Sequence, residues 1–215
     1  DHARKSLATI VDQAMRAHEM LAEVMRAVQP RSVVRSPHDI VALTKGIFET
    51  MRPLGEAKKI NWEWRSNVSA ALAEIEPEGI QEVLRLVAQN GLDACRPGDT
   101  ILWKLEVIDS VEEPVLSKRR LRKLRIVIED TGPGLENAQA VRAFDLYYSG
   151  REAGRGLGVS LAVVKRYVAE NLGAVRIVSQ KGLGCSVEME FPIYDQDASE
   201  DDNGTKQHQP KRWMI

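Results

Sequence analysis

Apolar residues recur every three to four positions along the first 29 residues, at Leu7, Ile10, Val11, Ala14, Leu21, Val24, Met25 and Val28. The stretch holds no Gly or Pro, and its spacing predicts an amphipathic helix that Pro30 stops. After the linker RSVVRS, Ser36 is placed to cap a second helix, Pro37 suits the first helical position, and Asp39 suits the positive end of the helix dipole. Ile40, Val41, Leu43, Ile47, Phe48, Met51 and Leu54 give that helix its stripe, ending near Gly55. Two helices with a short link make an antiparallel hairpin. One hairpin has too little surface to bury both stripes, so pairing two into a four-helix bundle predicts a homodimer. The alternative is that the hairpin packs on the rest of its own chain.

Beyond Gly55 the period changes. Ile60, Trp62 and Trp64 alternate with Asn61, Glu63 and Arg65, which predicts a half-buried strand. A helix opens at Pro77 and runs through Cys95. Strands follow over Ile101–Ile108 and Leu124–Glu129, joined by a turn that holds the basic run SKRRLRKLR. Another helix covers Gly156–Leu172, and two last strands cover Ala174–Ser179 and Ser186–Pro192. Hairpin-paired strands with crossing helices predict an α+β fold. The division expected is a dimerisation hairpin over 1–58, a sandwich over 59–194 and a disordered polar tail over 195–215.

Composition narrows the class. A net charge of −1 over 215 residues gives no global pull toward nucleic acid or anionic membrane. The basic run carries no interleaved aromatics, so it reads as a solvated turn, and no nucleic-acid partner is expected. Cys95 and Cys185 offer neither metal spacing nor a disulfide framework, which fits a reducing cytoplasm. No apolar run reaches the roughly 18 residues of a membrane span, so any membrane attachment would come from an unseen upstream segment.

Three places invite chemistry. In PEGIQEVLRLVAQNGLDA, Asn90 falls on the stripe of Val83, Val87 and Ala94, where an apolar side chain is expected. A buried amide there either bonds nearby backbone or offers its oxygen to Mg²⁺. Glu82, two turns earlier, could act on that ion or on a water. In the second place, Leu124, Ile126 and Ile128 alternate into Asp130, followed by Gly132 and Gly134. These are turn glycines, or else Asp130 accepts a hydrogen bond from an adenine amino group while the glycines let main chain lie along the base. In the third, Gly154, Gly156 and Gly158 precede a helix, whose free N–H groups favour phosphate. Arg151, Arg155 and Lys165 could add charge there.

Together, QNGLDA, EDTGPG, AFDLYYSG and GRGLG, in that order, resemble the N box, first glycine box, phenylalanine box and second glycine box of bacterial sensor histidine kinases. These belong to the wider ATPase group with gyrase B, Hsp90 and MutL. GLGCSVEMEFP resembles the family's last hairpin, and RPLGEAKKI with its preceding helix the second dimerisation helix. The resemblance implies a Bergerat-type α/β sandwich holding Mg-ATP. Asn90 would ligate Mg²⁺, and Asp130, Gly132 and Gly134 would hold adenine. Phe144, Arg155, Gly156, Leu157 and Gly158 would line the site, with a mobile lid between Gly134 and Gly156. The γ-phosphoryl would pass to a histidine and then to a response regulator receiver domain. The family's phosphoacceptor box, aligned on Leu7 and Ile10, puts Asp1 at the histidine position, His2 at the acidic one and Ser6 at the proline. Three readings stay open: His2 is a shifted acceptor, Asp1 is a substitution that abolishes autophosphorylation, or the chain has been altered or cut there. Leu86 and Cys185 also depart from the family pattern, at a polar N-box position and at a threonine near the adenine. Two rival readings are a phosphotransfer scaffold without autophosphorylation and a gyrase- or Hsp90-like ATPase.

Overall fold

The computed structural model describes residues 6, 7, 9–11, 13–15, 25, 32–110, 121–148 and 158–194. The described apolar positions of the first predicted helix, Leu7, Ile10, Val11, Met15 and Met25, are helical and exposed in this single chain. From residue 36 the order is β1 (Ser36–Asp39), α1 (Ile40–Ala57), β2 (Asn61–Ser66), β3 (Leu72–Ile75), α2 (Pro77–Ala94), β4 (Thr100–Ser110), β5 (Leu121–Asp130), α3 (Asn137–Arg142), α4 (Ser160–Glu170), β6 (Ala174–Gln180) and β7 (Gly184–Pro192).

Five strands form one sheet in the order β2-β4-β5-β7-β6, with β2 parallel to β4 and the other neighbours antiparallel. Helices α1, α2 and α4 pack side by side against the sheet, α2 in the middle. The strands alternate as an α/β sandwich requires. Ile101, Trp103, Leu105, Leu124, Ile126, Ile128, Val187, Met189 and Phe191 are buried toward the helices. On the opposite face Arg125 lies 2.9 Å from Glu190 and 3.4 Å from Glu106 on its two neighbouring strands.

Two expectations need correction. Ser36 and Pro37 do not open a helix: Ser36–Asp39 is a strand, antiparallel to β3 with Ser36 opposite Ile75 and Asp39 opposite Leu72. Asp39 is the cap. Its Oδ1 accepts from the N–H groups of Val41 (3.0 Å) and Ala42 (3.2 Å), and also from Ala71 N–H (3.2 Å) across the chain. A carboxylate one residue from the helix outcompetes a serine hydroxyl four residues away. The ribbon fastens the far end of the chain too, because Tyr194 N–H donates to Leu72 O at 2.8 Å.

The second correction concerns α1. Its stripe of Ile40, Val41, Ile47, Phe48 and Met51 belongs to the same core as the sheet, so it is not left over for a bundle. The Phe48 ring stands 5.1 to 5.9 Å from the rings of Trp62, Trp64 and Trp103, and Trp62 Nε1 donates to Phe48 O at 3.1 Å. The helix ends near Gly55, as expected, at Ala57. A Cβ on Gly55 would come within 2.9 Å of the Trp62 ring, so the glycine makes room for the indole. The described residues therefore do not form the helical hairpin expected over 1–58. The arm expected at 36–55 is the first helix of the sandwich.

This placement gives a direct expectation. Phe48→Ala should cost about 3–5 kcal/mol of stability, and the drop in Tm should be the same at low and high protein concentration. A drop seen only on dilution would put α1 in a subunit interface instead.

Candidate functional site

Asp130 ends β5 on the inner face of the sheet and is only 9% exposed. It stands in a row of cross-strand neighbours: Ile101 on β4, Cys185 on β7 and, beyond that, Ser179 on β6. Main-chain N–H groups hold the carboxylate, with Gly132 N–H on Oδ1 at 2.9 Å and Cys185 N–H as a second donor. Burial is the largest influence on its pKa and pushes it up; those two N–H groups pull it down, and Asp99 and Glu129 push it up further. A buried carboxylate that holds two donors keeps its remaining lone pairs for a donor that comes to it.

Main chain crowds this carboxylate closely. A Cβ on Gly132 would lie 2.8 Å from Asp130 Oδ1. Gly184 has φ +96°, and a Cβ there would collide with the Asp130 carbonyl. Gly134 has φ +64° and packs on the Gln180 and Gly184 carbonyls, so the loop after Asp130 lies flat on the β6–β7 turn.

Helix α2 reaches the same strand end through Gly91, the residue after Asn90. Gly91 is buried, and a Cβ on it would be 3.3 Å from Ile101 Cδ1 and 3.8 Å from Asp130 Cβ. A glycine in mid-helix costs about 1 kcal/mol relative to alanine; here it lets the helix touch the end of β5. Asn90 sits half-buried on that turn. Glu82 is on the same helix, two turns back and about 12 Å along the axis, so the structure does not bring it to the Asn90 turn. Asp93 bonds Lys58 at 3.3 Å and Gln89 at 2.8 Å, as a solvated charge would.

Phe144 is half-buried just after α3, with Lys165 Nζ from α4 6.0 Å from its ring centroid. The chain is pinched nearby: Tyr147 N–H donates to Gly158 O at 3.0 Å, and Gly158, at φ +66°, packs on the backbone of Tyr148. Arg142 stacks on the Tyr148 ring at 4.4 Å. Helix α4 begins two residues after Gly158. Arg155, Gly156 and Leu157 lie outside the described residues, as do His2 and the tail over 195–215.

Three residues around Asp130 carry little signal in the sequence. Gly91 is marked only by being a glycine inside a strong helical pattern. Gly184 lies within GLGCSVEMEFP without a reason attached. Ser179 has no signal beyond its strand, yet its Oγ donates to Gly184 O at 2.8 Å and accepts Leu135 N–H at 2.8 Å.

This arrangement of an amide-bearing helix beside a buried carboxylate and two glycine turns has relatives. The family model for histidine kinase-, DNA gyrase B- and HSP90-like ATPases matches residues 75–195. The chain belongs to this family. It is 24% identical over 201 residues to the adaptive-response sensory kinase SasA of Synechococcus sp. (strain JA-2-3B'a(2-13)), covering 90% of this chain and 48% of that protein. The chain thus spans about half the length of that relative. Among solved structures, full-length ShkA in complex with AMPPNP matches with a TM-score of 0.71 at 21% identity, over 90% of this chain and 39% of that one. Histidine kinase ThkA in complex with response regulator protein TrrA matches with a TM-score of 0.68 at 14% identity, over 88% and 51%. These likenesses establish the fold as the mixed α/β ATP-binding type found in histidine kinases.

Both cysteines flank Asp130. Burial, then the Asp130 charge, pushes the Cys95 thiol up to about 12 and the Cys185 thiol up to about 11. Almost no thiolate then exists at neutral pH, so a disulfide reagent at pH 8 should label the folded chain at least tenfold more slowly than the chain in urea, where thiols titrate near ~8.5. Equal rates, read by absorbance with and without urea, would contradict the packing around Asp130.

Proposed function

We propose that this chain is the core of a two-component histidine kinase that binds Mg-ATP and passes the γ-phosphoryl group to a histidine and then to a response regulator receiver domain. The observation that carries the reading is the contact of the Asn90 helix with Asp130 through Gly91. It supports an amide and a carboxylate facing one small molecule. Adenine suits this pair, because its exocyclic amino group is a donor and Asp130 is a buried, pre-anchored acceptor. The glycines around it leave main chain where a base edge would lie.

The donors fit the ion as well. Asn90 offers one hard carboxamide oxygen, and the described residues hold no group of three or more His, Cys, Asp or Glu side chains that could cage a metal. A magnesium ion held by one or two protein oxygens and the nucleotide's phosphates matches that supply. When bound, the ion would neutralise phosphate charge during transfer. The chain's own part is to orient the base through Asp130 and to present N–H groups at the start of α4, with Lys165 at the middle of that helix. Glu82 is assigned at most to a water.

Relatives support the remaining assignments. One is a sensory kinase, one structure was solved with a nucleotide analogue and one with a response regulator. For the homodimer, support comes from Leu7, Ile10, Val11 and Met15, helical and 55–64% exposed, which a second copy would cover. No helix among the described residues is long and apolar enough to cross a membrane; the two free cysteines support a cytoplasmic setting. His2 is the proposed phosphoacceptor.

Incubation with radiolabelled ATP and Mg²⁺ should give acid-labile, base-stable label that His2→Ala removes. Label that survives His2→Ala would move the acceptor elsewhere. Nucleotide binding without label would favour the scaffold reading, and steady phosphate release without label the ATPase one. Asp130→Asn should lower nucleotide affinity at least tenfold while leaving Tm unchanged or higher. The sign follows from the raised pKa: folding favours the protonated form, so Asp130's contribution to stability is greatest at acid pH and is lost as pH rises through the folded pKa. The amide escapes that cost. Nucleotide binding by the parent chain should weaken in acid at a higher pH than an ordinary carboxylate near ~3.9 would allow.

A further inference from the structure

We infer that Ser179 is a positioning residue for the nucleotide, acting through the first glycine turn. The inference rests on the nucleotide-site reading above. A serine hydroxyl has one proton to give and two lone pairs to fill, and Ser179 Oγ spends its proton on β7 and a lone pair on the loop after Asp130. It donates to Gly184 O at 2.8 Å, accepts Leu135 N–H at 2.8 Å, and is hydrogen-bonded to the Cys185 thiol. Leu135 closes the turn that begins at Asp130. Gly184 is the residue whose absent side chain makes room for the Asp130 carbonyl, and Cys185 supplies the second main-chain donor to the Asp130 carboxylate. One hydroxyl thus ties the loop that would lie along the base to the strand that anchors the carboxylate.

Ser179 does not touch the Asp130 carboxylate, and nothing places it on the nucleotide itself. Its effect is on the height of the Gly132–Leu135 turn above the sheet. Neighbouring bonds share the job of holding this turn, since Gly182 N–H donates to Pro133 O at 2.7 Å and Lys181 pairs with Glu136 at 2.6 Å. Removing the hydroxyl should therefore leave the fold intact and loosen the turn locally.

The test compares Ser179→Thr, which keeps the hydroxyl, with Ser179→Val, which has the same shape without it. The full chain is used. The readouts are affinity for a fluorescent ADP, KM for ATP against kcat in autophosphorylation, and amide hydrogen exchange of Leu135 without nucleotide. The expected result is wild-type-like binding for Thr and about tenfold weaker binding for Val, the scale of one hydrogen bond. KM should rise with kcat unchanged, and Leu135 exchange should quicken in Val alone. Equal nucleotide affinity in the two variants overturns the inference, as does a fall in kcat at unchanged KM. Failure of the wild-type chain to bind nucleotide would overturn the nucleotide reading and this inference together, while the exchange of Leu135 would still report whether the tether exists.

Discussion

The structure is organised around a carboxylate that has been taken out of water. Asp130 closes the central strand of the sheet on its buried side, where a charge is costly unless donors meet it. Two main-chain N–H groups do so, and they can reach it only because Gly132 and Gly184 carry no side chains. The same demand for space reaches α2, where Gly91 lets a helix lie against the strand end. Strand order, turn conformation and helix placement therefore converge on one side chain. A side chain on Gly132 would press on the carboxylate itself, one on Gly184 on the Asp130 carbonyl, and one on Gly91 first on Ile101.

The regular elements were largely legible. Trp62 and Trp64 alternate into β2, the Val83–Val87 stripe gives α2, and the last two strands follow from their apolar alternation. What periodicity reports is that a helix has an apolar face; it does not report what covers that face. The stripe of Ile40, Ile47 and Phe48 would suit a bundle or a sheet equally, and only the aromatic cluster with Trp62, Trp64 and Trp103 shows that it is the sheet. β1 and β3 are four residues each, too short for a pattern to accumulate. They exist because they pair with one another and because Asp39 can bond Ala71 across them.

The candidate site was legible as residue types and not as distances. Asn90, Asp130, Gly132 and Gly134 could be picked out because an amide on an apolar stripe and a carboxylate before paired glycines are unusual. Gly91 and Ser179 could not, since a small residue next to a conspicuous one carries no mark of its own in the linear text. What they touch lies far along the chain, Asp130 in one case and Leu135 in the other.

The two-stranded ribbon of β1 and β3 has a consequence for anything joined to this sandwich. Residue 36 arrives on one side of β3, and residue 194 departs from the same four-residue segment, bonded to Leu72. The points of entry and exit thus lie within about 10 Å of each other along a strand. Segments upstream and downstream share a doorway, and a pull, twist or bound protein acting on one is delivered beside the other.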